Sequence, residues 1–199
     1  MSSDLPHKGA SRGLQREFRR EQLLEVAARL FAQRGLEGTT TKEIAREAGV
    51  SAGLLYHYYP SKEDLLVAVV SHFDALARLR PLLDGHLEGS ASEVLMRMLR
   101  GISTFMEEHR DIMWLCMRAA GRFPTVAQAL RQTREQMTEL LASFFQGRID
   151  RGEFMPHDTV RVARGLYNVL AMEHLEKAPG RSDVEPMVEA LLYGLVPRT

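Results

Sequence analysis

Between Thr41 and Lys62 the chain gathers hydroxyls, an imidazole, an ammonium and two residues with almost no side chain. Thr41, Ser51, Tyr56 and Tyr58 offer hydroxyls, His57 an imidazole and Lys62 a cation, while Ala52 and Gly53 leave the backbone bare. Catalysis would need a nucleophile with a base and an orienting group beside it. No such trio stands here; these groups suit a polyanion carrying base edges. Hydroxyls and cations meet phosphate oxygens, and a tyrosine ring meets a thymine methyl. Small side chains at 52 and 53 let a helix come close to a groove floor.

The elements that must position these groups are legible around them. Thr40 and Glu43 have the spacing of a capping box, so a short helix starts there with Ile44, Ala45 and Ala48 on one face. Gly49 stands where the chain must bend, because glycine reaches positive φ without a Cβ clash. Ser51 caps a second short helix, Ala52 to about Tyr58, which Pro60 stops. Ile44, Ala45, Val50, Leu55 and Tyr59 form the inner side. Upstream, a helix over Arg16–Arg34 has an apolar stripe of Leu23, Ala27, Leu30 and Phe31 and ends at Gly35. Downstream, Ser61 with Asp64 caps a helix running to about Leu79. A cation in its first turn opposes the helix dipole, so Lys62 there makes sense beside a phosphate. Two short helices joined by a tight turn are the layout of a helix-turn-helix, whose second helix enters the DNA major groove.

From about Arg16 to Leu66 this text (LLEVAARLFAQRG, IAREAGVS, LYHYYPSKE) resembles the TetR family of bacterial transcriptional regulators. The resemblance implies operator contacts at Thr41, Ser51, Gly53, Tyr56, His57, Tyr58 and Lys62; Ala52 joins them from its size and place. Tyr59 departs from the commoner phenylalanine. The remainder matches the family in length and helical character.

That remainder reads as helices over 92–108, 111–120, 124–149, 158–177 and 182–195, the last with a capping box of Ser182 and Glu185. Pro81 to Ser90 reads as a loop. Strand signals are absent, so the expected fold is all-α: a three-helix helix-turn-helix domain over 1–60, with a flexible basic arm 1–15, then a helical bundle over 61–199, about nine helices in all. The last two helices are apolar over more than the ~100° that one buried side requires. The excess points to a two-fold dimer contact at Leu166, Leu170, Met187, Leu191 and Leu195, as the resemblance implies. The inward faces of three consecutive helices carry Met98, Ile102, Phe105, Met113, Trp114, Met117 and Phe144. Flexible methionines beside aromatic rings suit a mostly apolar pocket, where the family takes small effectors.

Composition narrows the alternatives. The chain has 199 residues, 45% hydrophobic, and a formal net charge of zero. Residues 1–60 hold nine Lys/Arg against seven Asp/Glu, leaving +2 there and −2 in the rest. The strongest excess is Lys8, Arg12, Arg16, Arg19 and Arg20 against Glu17, a basic stretch suited to phosphates. No apolar run approaches the ~20 residues of a membrane span, and the N-terminus lacks a secretory signal's apolar centre. The single Cys116 forms no internal disulfide, consistent with the cytoplasm, and its apolar neighbours make it a core thiol. His72, His86, His109, His157 and His174 lack metal-ligand spacing, and no hydrolase, P-loop or dinucleotide motif is present. No cofactor, metal or catalytic residue is expected. The expected partners are a palindromic double-stranded operator, a small apolar effector and a second copy of the chain. The alternatives are an activator of the same fold, or a helical ligand-binding protein or enzyme whose hairpin does not touch DNA.

Overall fold

The computed structural model describes residues 8–73, 89–176 and 184–195, and among these it is helical without strands. The helices are α1 (Lys8–Arg34), α2 (Thr41–Glu47), α3 (Ala52–Tyr58), α4 (Lys62–His72), α5 (Ala91–Glu108), α6 (Arg110–Ala120), α7 (Pro124–Asp150), α8 (Thr159–Glu176) and α9 (Val184–Leu195). Several sequence expectations fall outside the described residues. These are the first part of the arm, the end of the helix drawn to Leu79, most of the loop over 81–90, and the cap at Ser182.

Two compact units result. One holds the chain to His72 together with Leu115–Ala127; the other holds Phe73–Trp114 and Gln128 onward. The first therefore runs past Pro60, because α4 packs on α1. Its core is the expected stripe, Leu23, Ala27, Leu30 and Phe31, closed by Ile44, Ala45, Leu55, Leu65, Leu66 and Val69, all nearly or fully buried. Burying each large apolar side chain contributes about 1.5–3 kcal/mol. Leu115, Cys116, Ala119 and Val126 are buried too, and burial pushes the Cys116 thiol up to about 12, as suits an unreactive core residue.

α1 starts at Lys8, not Arg16. No proline interrupts residues 8–34, and adding residues to a formed helix gains a backbone bond for each one fixed. Residues 8–15 are therefore helical, where the sequence suggested a flexible arm.

In the second unit, α5 begins one residue after Ser90. The Ser90 hydroxyl and the Glu93 carboxylate cap each other's backbone N–H, and those bonds hold the Glu93 carboxyl below its ordinary range. Met98, Ile102, Phe105, Met106, Met137, Phe144, Phe145, Phe154, Leu166 and Leu170 pack into one buried cluster. Two polar features sit within it. His174 holds the Leu170 carbonyl through Nδ1 at 2.8 Å and meets the Ser103 hydroxyl at Nε2, 3.0 Å away. A carbonyl only accepts, so Nδ1 carries a proton toward Leu170, while Nε2 and the Ser103 hydroxyl share the second bond. Arg148, 2% exposed, donates to Glu153 at 2.7 Å and to the Gly89 carbonyl at 3.2 Å, and lies over the Phe144 ring.

Candidate nucleic-acid interface

The motif is built by backbone bonds before any side chain reaches outward. Thr40 and Glu43 form the expected capping box: Glu43 N–H donates to the Thr40 hydroxyl at 3.2 Å, and Thr40 N–H to the Glu43 carboxylate at 2.9 Å. Those bonds pull the Glu43 carboxyl below the usual range. At the far end of α2, Gly49 takes φ +68°. Its N–H donates to the Arg46 carbonyl at 3.2 Å and that of Val50 to the Ala45 carbonyl at 2.9 Å. This is the Schellman arrangement, which closes a helix through a left-handed residue. Ser51 follows at once and accepts from Leu54 N–H at 3.1 Å, starting α3. Leu55 and Tyr59 then turn inward, 0% and 4% exposed.

The outward residues separate into three kinds. Ser51, Gly53 and His57 are exposed and Ala52 and Tyr58 half-buried, with the His57 and Tyr58 rings edge to face at 5.7 Å. Tyr56 is 46% exposed but not loose, because its hydroxyl lies 2.8 Å from that of Thr41. That bond ties α3 to the first turn of α2 and fixes the angle at which the ring is presented. Lys62 differs from both. Its ammonium is turned inward, donating to the Leu36 carbonyl at 2.7 Å and the Thr39 carbonyl at 3.3 Å. Carbonyls left over where α1 ends attract the nearest cation, so this lysine fastens α4 to the α1–α2 connection.

Two contributors escaped the sequence reading. Thr39 is fully buried and its hydroxyl is shared between the Leu30 and Gly35 carbonyls, at 3.2 and 2.9 Å. Its position four residues after a helix-ending glycine was the available signal. Arg20 Nε donates to the Tyr59 hydroxyl at 3.2 Å, so the tyrosine that replaces the commoner phenylalanine has a use. Arg29 and Arg34 pair with Glu47 and Glu43 at 2.7 and 3.4 Å, so acids beside the outward face carry cations. Such exposed pairs add little stability, but they reduce repulsion toward phosphate.

The other two sets of sequence-chosen residues are divided by the structure. Met98, Ile102, Phe105 and Phe144 share the second unit's core, with Met113 packed against it. Trp114 and Met117 face solvent, 43% and 51% exposed. Leu166 and Leu170 are buried in the subunit's own core and Leu191 is partly so. A side chain already out of water has no surface left for a partner. The side chains of Met187 and Leu195 lie outside the described ones. Among the described side chains, the large apolar residues of α8 and α9 left uncovered are instead Val160, Val169, Met172 and Tyr193, 47%, 48%, 54% and 75% exposed.

A sequence model of the bacterial regulatory proteins of the tetR family matches residues 23–69. The transcriptional repressor KstR2 of Mycolicibacterium smegmatis is 42% identical over 73 residues, 37% of this chain and 32% of that protein. The chain thus matches about a third of the length of such relatives. The transcriptional regulator UidR of Escherichia coli is 26% identical over 187 residues, 89% of this chain and 92% of that protein. Among solved structures, a TetR-family regulator of Mesorhizobium loti aligns with a TM-score of 0.75 at 23% identity, covering 91% of this chain and 98% of that one. The ketosteroid transcriptional regulator KstR2 of Mycobacterium tuberculosis aligns with a TM-score of 0.60 at 26% identity, covering 90% and 96%.

Proposed function

We propose that this chain, which belongs to the TetR family of bacterial regulatory proteins, is a repressor that binds a palindromic operator as a homodimer and releases it when a small effector binds. It acts in the cytoplasm, where the operator is, as a binding protein and not an enzyme. Among the described residues no helix is long and apolar enough to cross a membrane. The observation that carries the reading is the α2–α3 corner. A left-handed glycine and two capped helix starts hold Gly53, Tyr56 and His57 outward on a fixed frame. Thr41, Ser51, Ala52 and Tyr58 complete the DNA face, and Lys62 serves it by position.

A two-fold dimer sets two recognition helices about 34–36 Å apart, one DNA turn. Its contact is the uncovered side of α8 and α9, Val169, Met172 and Tyr193. The family model matches residues 23–69 and the likeness to KstR2 covers 37% of this chain, so the support they lend goes to DNA binding; the effector is an apolar molecule taken up within the methionine-rich second unit, around Met98, Ile102, Phe105, Met113 and Phe144, with Trp114 at its rim. It acts by binding the released state more tightly than the DNA-bound one. The test is fluorescence anisotropy on labelled duplexes with wild type, His57→Ala and Tyr58→Ala. Salt-sensitive binding that both folded variants weaken by about 1–3 kcal/mol supports the reading. Wild-type affinity in both variants removes α3 from the interface. Apolar compounds that shift Trp114 emission should also lower operator affinity.

A further inference from the structure

The helical course of residues 8–15 turns a run of charges into a geometry. Residues 8–20 contain Lys8, Arg12, Arg16, Arg19 and Arg20 against Glu17. On one continuous helix, positions 8, 12, 16, 19 and 20 fall within an arc of about 120°, and 17 falls outside it. The same arc continues down α1 as Leu23, Ala27 and Leu30, which are buried where α1 packs with α2 and α4. The face that binds the helix-turn-helix thus runs on past it as a basic face. Arg16, Arg19 and Arg20 are exposed. The stretch is also fastened to the recognition element, because Arg20 Nε donates to the hydroxyl of Tyr59, the residue that ends α3.

We propose that the N-terminal half of α1 is a further DNA contact, a helical rail in which Arg12, Arg16 and Arg19 follow one phosphate strand beside the groove that α3 enters. The inference rests on the DNA-binding reading above. From position 8 to position 20 the rail spans about 18 Å, and a strand offers a phosphate for every ~3.4 Å of duplex axis, so several are in reach. A chain of zero net charge has no general attraction for a polyanion. A local line of cations supplies it, and a helix keeps that line in register where a loose tail would spread it.

The test uses the full chain on its own inverted-repeat duplex with flanking base pairs, between 50 and 200 mM salt. Each phosphate contact contributes about 0.9 to the slope of log affinity against log salt. Arg12→Gln/Arg16→Gln/Arg19→Gln should flatten that slope by about 2.7. The advantage of wild type over the triple variant then shrinks by about 40-fold across the range. Gly13→Pro keeps every charge but breaks the helix beyond Arg12. It should lose the share of Arg12, about 0.9 of slope, while Gly13→Ala keeps it. An unchanged slope in the triple variant overturns the rail, and so does full wild-type binding by Gly13→Pro. Wild type that binds no duplex at all overturns the DNA-binding reading instead, so the two failures are told apart.

Discussion

Lys62→Met removes an ammonium and keeps the stem. Lys62 makes one short charge-assisted bond, 2.7 Å to the Leu36 carbonyl, and one long bond, 3.3 Å to that of Thr39. A hydrogen bond to a charged group contributes about 1.5–3 kcal/mol, and the second bond adds little at its length. The side chain is only half-buried, so water replaces part of what is lost. A loss of about 1–2 kcal/mol follows, or roughly 2–8 °C in melting temperature for a chain of this size. Operator affinity should fall as well, because the α1–α2 connection loosens. The slope of affinity against salt should stay the same, since no phosphate contact has been removed. Melting followed by circular dichroism and a salt titration of binding separate the two roles. A slope that falls by about 0.9 with no change in melting would make Lys62 a phosphate ligand and refute its role as a fastener.

Gly49→Ala meets no atom within 4 Å, so its cost is the left-handed backbone alone, about 1–2 kcal/mol, read as a lower urea midpoint with lower operator affinity. Met172→Glu should give folded monomers by light scattering, because that side chain is exposed on the proposed dimer contact, whereas Leu170→Glu, whose site is fully buried, should unfold or aggregate; a folded Met172→Glu dimer contradicts the proposed contact, and a folded Leu170→Glu protein contradicts the burial. Burial raises the Glu153 carboxyl, but bonds from Arg148 and Arg151 outweigh it and hold the carboxyl below its ordinary range. Stability from this pair is therefore present above the ordinary glutamate range and lost as pH falls through the lowered value. Glu153→Gln should cost about 1–3 kcal/mol at pH 7 and flatten that acid-side decline in a series of chemical denaturations.

Local chemistry made the motif legible. Thr40 with Glu43, Gly49, Ser51 and Pro60 each act within a few residues, so their spacing alone fixes where α2 and α3 start and stop. The all-α class followed from apolar periodicity in the same way. What escaped depends on partners far along the chain. Nothing near Arg20 announces Tyr59, and nothing near Lys62 announces that Leu36 and Thr39 will bring carbonyls to it. The wide apolar arcs of the last two helices were real, but an arc does not say which half its own subunit covers. Leu166 and Leu170 took the inner half and Val169 and Met172 the outer. The start of α1 was missed because glycine and serine weaken a helix without forbidding it once a stable segment follows.

Operator recognition by the α2–α3 corner is read out by selecting the full chain against a library of random duplexes. The expected outcome is enrichment of an inverted repeat with half-sites about 10–10.5 base pairs apart or a multiple of that, bound in salt-dependent fashion and lost with Tyr58→Ala. A library that returns no common sequence, from protein shown to be folded and at low salt, would contradict it.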